Sequence, residues 1–139
     1  MDERICEEIS DISSLEKLPQ GPAGVIILNL VLQFIRPIER KRILKNLCEN
    51  LVPGGTLILV EKTIQEDAAF NDFFINYYHD YKKELGYSEM EIAKKREALE
   101  NKLIPFQSSE NVQMLKDSGF NKTTTFFQWL NFQGYLAVK

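Results

Sequence analysis

An α/β fold, with parallel strands joined by a crossover helix and closed by an antiparallel hairpin, is what this 139-residue sequence predicts. Three features carry that expectation. Val25-Ile26-Ile27-Leu28-Asn29 and Thr56 to Val60 are short aliphatic runs without polar alternation, as strands covered on both faces are. Between them Pro37 to Leu51 has helical spacing. Near the end, Thr123 to Trp129 and Phe132 to Val138 are β-rich runs joined only at Leu130-Asn131, a link short enough to require antiparallel pairing.

Taken in order, Arg4 to Ile9 reads as a clipped strand and Leu15 to Gly24, with Pro19, Gly21 and Pro22, as a connection. Pro37 suits the first position of a helix, where its missing N–H would be unpaired in any case. Ile43, Leu44, Leu47, Cys48 and Leu51 then form one apolar stripe, with Lys41, Arg42 and Lys45 on the outer side. The basic residues Arg36, Arg40, Lys41, Arg42 and Lys45, diluted by Glu39 and Glu49, read as a solvated helix surface. Pro53-Gly54-Gly55 reads as the turn into the second strand, completing a right-handed unit.

From Glu66 to Leu85 the spacing is helical again, with Phe70, Phe73, Phe74, Tyr77, Tyr81 and Leu85 on one face; that stripe reads as core. Gly86 ends the helix. Ser88 and Glu91 make a capping box for a further helix from Glu89 to Leu103, interrupted by Pro105. Ser109 is placed as the cap of a last helix that turns Val112, Leu115 and Phe120 inward and stops at Gly119. A single domain follows, with residues 1–24 an amino-terminal arm and connection and residues 25–139 the body.

Composition narrows the function. Hydrophobic residues make up 44% and charged residues 27% of the chain, the range of ordinary globular proteins. The apolar run at Val25 is too short to span a bilayer, and the acidic start with Asp2, Glu3, Glu7 and Glu8 is wrong for a signal peptide, so a cytoplasmic location is expected. A net charge of −3 argues against a dedicated nucleic-acid grip. Cys6 and Cys48 lack ligand spacing and read as free thiols, and the single histidine, His79, builds no metal site. Helical spacing sets His79 opposite the aromatic stripe, toward solvent.

Certain blocks are specific. Ile27-Leu28-Asn29 with Leu32-Gln33-Phe34, Asn50-Leu51-Val52-Pro53-Gly54-Gly55, Glu61-Lys62 and His79-Asp80 are four of them. The others are Gly86-Tyr87-Ser88-Glu89-Met90-Glu91-Ile92 leading to Lys95-Arg96 and Leu99-Glu100-Asn101, and Phe127-Gln128-Trp129-Leu130-Asn131-Phe132. Together they resemble the carboxy-S-adenosyl-L-methionine synthases, within the class I S-adenosylmethionine-dependent methyltransferases, from about Ile5 onward. The Gly86 to Asn101 block is the most specific; the Pro-Gly-Gly turn is common to many methyltransferases.

That resemblance implies a partial Rossmann-like methyltransferase sheet, the carboxyl-terminal portion of the fold without the nucleotide-binding half. It implies chemistry in which prephenate carboxylates S-adenosylmethionine for wobble-uridine modification of tRNA, and a homodimer. S-adenosyl-L-methionine or carboxy-S-adenosyl-L-methionine is the implied cofactor. By position, Asn29 matches the residue beside the methionine moiety and Arg96 the arginine that grips the extra carboxylate. Glu8-Ile9 matches an Asp-Ile pair near adenine, Glu8 being longer by one methylene. No catalytic residue is implied.

The residues themselves leave alternatives open. Arg96 shares a helix face with Ile92 and Leu99, and its planar fork suits a carboxylate ligand, an ion pair with Glu100, or a stem laid on the apolar face. Asn29 stands at a strand's carboxyl end, where open α/β sheets bind ligands, yet an Asn there also caps the segment that follows. No glycine-rich turn follows a first strand, and no acid follows a second, so the nucleoside's backbone cradle is missing from this stretch. The strand at Val25 to Asn29 should consequently expose an apolar edge. A second copy, or an exchanged arm from Arg4 to Ser14, would cover it. Two function classes result: a transferase that needs further elements for turnover, and a non-catalytic oligomeric interaction module.

Overall fold

The computed structural model describes residues 5, 7–15 and 21–139. The first strand Ala23–Asn29 (β1) leads through a short 3-10 turn at Leu32–Phe34 into helix Pro37–Glu49 (α1) and the long strand Leu51–Ile64 (β2). Helices Ala68–Glu84 (α2) and Glu89–Leu99 (α3) follow, then a two-residue strand Phe106–Gln107 (β3) and helix Ser108–Asp117 (α4). Strands Lys122–Trp129 (β4) and Phe132–Val138 (β5) close the chain. The sheet order is β1-β2-β5-β4, with β3 paired to β2 off that path. β1 and β2 run parallel, and β5 lies between β2 and β4, antiparallel to both.

The α/β expectation holds, and so does the hairpin. Trp129 pairs with Phe132 across Leu130 and Asn131, Leu130 taking a φ of +50° that lets two residues reverse the chain. α1 starts at Pro37 and turns Ile43, Leu44, Leu47 and Cys48 inward. Leu44, Leu57, Leu59, Leu115 and Tyr135 are fully buried in one core between α1, α4 and the sheet. Each such aliphatic side chain contributes about 1.5–3 kcal/mol on leaving water.

Several expectations need correction. β1 is not covered on both faces: Leu28 is buried, but Val25 and Ile27 are 57% and 64% exposed. As an edge strand it packs one face on α1, and none of the described elements covers the other. Pro53-Gly54-Gly55 is not a turn ahead of β2 but a bulge inside it, since Ala23 pairs with Leu51 and Val25 already with Thr56. Gly54 has a φ of +76°, and a Cβ on Gly55 would stand 2.8 Å from the Val52 carbonyl oxygen, so the bulge requires glycines.

The aromatic stripe is not core. Phe70, Phe73 and Tyr77 are more than half exposed and α2 has no buried residue, because its other face is the one turned to the protein. α3 ends at Leu99 rather than Leu103. α4 is capped by Gln107 with Glu110, not by Ser109, whose hydroxyl instead donates to Glu66. Arg40 is not on a solvated face but 2% exposed. Cys48 is a buried free thiol. Of the strand expected at Arg4 to Ile9, Arg4 and Cys6 lie outside the described residues, as do residues 16–20 of the connection; Ile5, Glu7, Glu8 and Ile9 have no regular structure and are exposed.

Candidate functional site

A groove of about 830 Å³ lies where α2, α3 and the carboxyl end of β2 meet. Local chemistry fixes its walls. Asp67 caps α2 by accepting from the amides of Ala69 and Phe70, and Gly86, at a φ of +91°, turns the chain back. Ser88 and Glu91 close their capping box on α3, and Lys83 reaches across to Glu89 at 3.0 Å. Ile92 is buried and Leu99 half-buried, so the face between them turns Arg96 into the groove.

Arg96 meets other cations there. Lys62 comes from β2, and Tyr78, His79 and Lys82 from α2. The ammoniums of Lys82 and Lys62 stand 4.2 Å and 6.0 Å from the centre of the Tyr78 ring. Burial, then Arg96, pushes the Lys62 ammonium below its ordinary range; burial, then Lys95 and Lys62, does the same to Lys82. His79 is held low by burial and then by Lys82, Arg96 and Lys62, against the opposing pull of Asp80. An anion would compensate the two ammoniums. The Arg96–Glu100 ion pair is not formed: among the described residues no carboxylate lies within ion-pair range of Arg96.

The other expected site residues lie elsewhere. Asn29 is at the carboxyl end of β1, exposed, opposite Val60 in the parallel ladder, and does not line the groove. Glu8 is exposed and Ile9 fully so, both away from the groove walls. Arg96 is thus brought together with Lys62 and His79, not with Asn29, Glu8 or Ile9. His79, expected toward solvent, is half-buried in the groove because α2 packs by the face opposite its aromatics.

Beneath Asn29 lies a buried polar node. The Glu61 carboxylate accepts from the amides of Leu32 and Gln33 at 2.9 and 2.8 Å, holding the 3-10 turn that follows Leu30, which has a φ of +57°. Burial pushes the Glu61 carboxyl up to about 7 against the pull of those amides and of Arg40. The Gln33 side chain accepts from the Lys62 amide at 2.8 Å. Arg40 donates to the carbonyls of Ile35 at 2.9 Å and Ile104 at 2.7 Å and lies 4.4 Å over the Phe106 ring, joining this turn to the segment after α3. Sequence reasoning missed Lys62, although the rule that selected Asn29, a polar residue at a strand's carboxyl end, applies to it equally.

No family model matches the chain. A carboxy-S-adenosyl-L-methionine synthase from Desulfotalea psychrophila is 50% identical over 117 residues, 84% of this chain and 48% of that protein. One from Methylococcus capsulatus is 47% identical over 117 residues, with the same coverage. The chain is homologous to about half of a carboxy-S-adenosyl-L-methionine synthase. It spans about half the length of the curated relatives it matches. Among solved structures, human N-acetylserotonin methyltransferase in complex with SAM superposes with a TM-score of 0.65 at 16% identity, over 100% of this chain and 35% of that one. The methyltransferase SibL in its apo form gives 0.64 at 14% identity, over 99% and 36%. These two show the fold alone: a part of the class I methyltransferase sheet. Among the described residues no helix is long and apolar enough to cross a membrane, and no cluster of three or more His, Cys, Asp or Glu is placed to hold a metal.

Proposed function

We propose that this synthase homologue supplies the carboxylate-gripping wall of a carboxy-S-adenosyl-L-methionine site, for carboxyl transfer from prephenate to S-adenosylmethionine in the service of tRNA wobble-uridine modification. The observation that carries this is Arg96, turned into a groove with Lys62 and His79 and left without a carboxylate of its own. The exposed Arg96 fork lines a positively charged groove and matches a ligand carboxylate with two parallel hydrogen bonds that a lysine could not copy.

The nucleoside cradle would come from the part of the relatives' length that this chain does not span, and by itself the chain would not turn over. Asn29, at the sheet's carboxyl edge, would then meet the methionine moiety from the other side; Glu8-Ile9 would approach adenine only after folding back from its exposed position. A second copy would cover the bare edge of β1, directly or by exchange of the arm.

Calorimetry with S-adenosylmethionine and with its carboxylated form tests the reading. The carboxylated ligand should bind more tightly, and Arg96→Ala should erase that preference. Equal binding of both ligands by the unaltered chain, or no binding of either at millimolar concentration, would favour a non-catalytic interaction module.

A further inference from the structure

Of the described cations that line the groove, Lys62 alone stands on a strand. Its amide donates to the Gln33 side chain at 2.8 Å and its backbone pairs with Phe132 of β5, so its stem starts from a fixed backbone. The side chain is half-buried beside Lys82, Lys95 and Arg96. Among the described residues its ammonium has neither an ion-pair nor a hydrogen-bond partner. The centre of the Tyr78 ring is 6.0 Å away, at the limit of a cation–π contact; Lys82, at 4.2 Å, loses more by giving up its charge. Burial and then Arg96 already draw the Lys62 amine toward its neutral form. An amine so placed is a nucleophile, and the cations around it favour any product that carries negative charge.

We propose that Lys62 is a carbamate site: its amine adds carbon dioxide reversibly, and the carbamate pairs with the Arg96 guanidinium inside the groove. The Nζ lone pair bonds to the carbon of carbon dioxide, one C=O pair moves onto oxygen, and the nitrogen gives up one proton. Amine and carbon dioxide thus become carbamate and a proton, with nothing oxidised or reduced. A carbamate there occupies the fork that a ligand carboxylate would use, which makes carbon dioxide a competitor of the ligand. The site goes beyond the carboxylate reading of Arg96 and rests on it only for that competition.

The surroundings suit both the proton and the product. His79 lines the same groove and is held below its ordinary range by burial and then by Lys82, Arg96 and Lys62, so at neutral pH it is a free imidazole able to carry the proton to solvent. The charged groups facing the carbamate are Lys82 from α2 and Lys95, Arg96, Glu97 and Glu100 from α3, with Asp80 acting on His79. Glu61, next to Lys62 in β2, turns to the opposite face and is taken up by the amides of Leu32 and Gln33.

Carbon-13 nuclear magnetic resonance of the whole chain in labelled bicarbonate tests the site. A carbamate resonance should appear besides the one contributed by the α-amine of Met1, which titrates near neutrality in any chain. Lys62→Arg should remove it and Lys82→Arg should leave it. Arg96→Ala should raise the bicarbonate needed for half-saturation about tenfold. Trapping with triethyloxonium, followed by peptide mapping of the unaltered chain, should find the ester on Lys62, which keeps the test open if a variant does not fold. No second resonance, or an ester spread over exposed lysines and absent from Lys62, overturns the site. An Arg96→Ala variant that takes up carbon dioxide as the parent does overturns the pairing. A carbamate lost in Arg96→Ala, in a chain that binds S-adenosylmethionine and its carboxylated form equally, leaves the site standing and removes the carboxylated-ligand reading alone.

Discussion

Replacing Arg40 by methionine isolates the strongest tie between the turn after β1 and the segment after α3. The variant keeps the stem and loses a guanidinium that donates to Ile35 and Ile104 and stacks on Phe106. Its longer contact, 3.4 Å to the Gln33 carbonyl, matters less, because that carbonyl also accepts from the Ile104 amide at 2.8 Å. Two part-buried carbonyls therefore lose their donor, at about 1–1.5 kcal/mol each, and a partly dehydrated cation–π contact adds about 1 kcal/mol. Methionine recovers part of this, since burial already disfavours the charge and pushes the Arg40 guanidinium below its ordinary range. The net loss should be about 2–3 kcal/mol. With a urea slope of about 1.5 kcal/mol/M, the unfolding midpoint should fall by about 1.3–2 M. Arg40→Lys should lie between the two, because one ammonium cannot reach both carbonyls in a plane. A methionine variant as stable as the parent would mean that dehydrating the guanidinium outweighs its hydrogen bonds, and the node would not be what joins the two segments.

Glu61 should make stability depend on pH. Its folded carboxyl titrates at about 7 against 4.5 for an unperturbed one, so its contribution is fully present below pH 4.5 and is lost as pH rises through 7. That amounts to about 3 kcal/mol at most. Glu91 and Asp117, whose carboxyls are held low by Ser88 and by Gln113 with Lys41, act in the opposite sense at lower pH, so the difference between the parent and Glu61→Gln isolates the buried group. Chemical denaturation at pH 5 and pH 8 should show the parent losing more than the variant, and parallel losses would contradict the assignment. Light scattering should find dimers at micromolar concentration, converted to monomers by Val25→Lys with Ile27→Lys on the exposed side of β1. A monomeric parent would remove the proposed edge contact.

Element type and order were legible because each left a local signal: the Pro37 start, the Ser88–Glu91 box, the short Leu130-Asn131 link. Orientation was harder. A helical stripe of aromatics states which residues share a face and not which way that face points, so Phe70, Phe73 and Tyr77 were assigned inward while His79 and Tyr78 occupy the groove. An aliphatic run likewise describes an edge strand as well as a central one, which hid the exposure of Val25 and Ile27. Arg40 was grouped with its charged neighbours, although it precedes Ile43, Leu44 and Leu47 at helical spacing and so stands on the inward stripe. β3 is two residues long and carried no pattern to read. Within the groove, Arg96 was readable from Ile92 and Leu99 on its own helix, whereas Lys62, Tyr78 and Lys82 come together only through tertiary packing.

The ring contacts around Trp129 give this molecule an optical gauge. Its sole tryptophan stands edge-on to Tyr78 at 5.8 Å and to Tyr81 at 5.2 Å, and stacks on Phe132 at 5.9 Å. Tyr78 is also the ring beneath Lys62 and Lys82. Whatever displaces those ammoniums alters the field on the neighbouring indole, so filling or emptying the groove should register as a change in emission colour, without any dye attached.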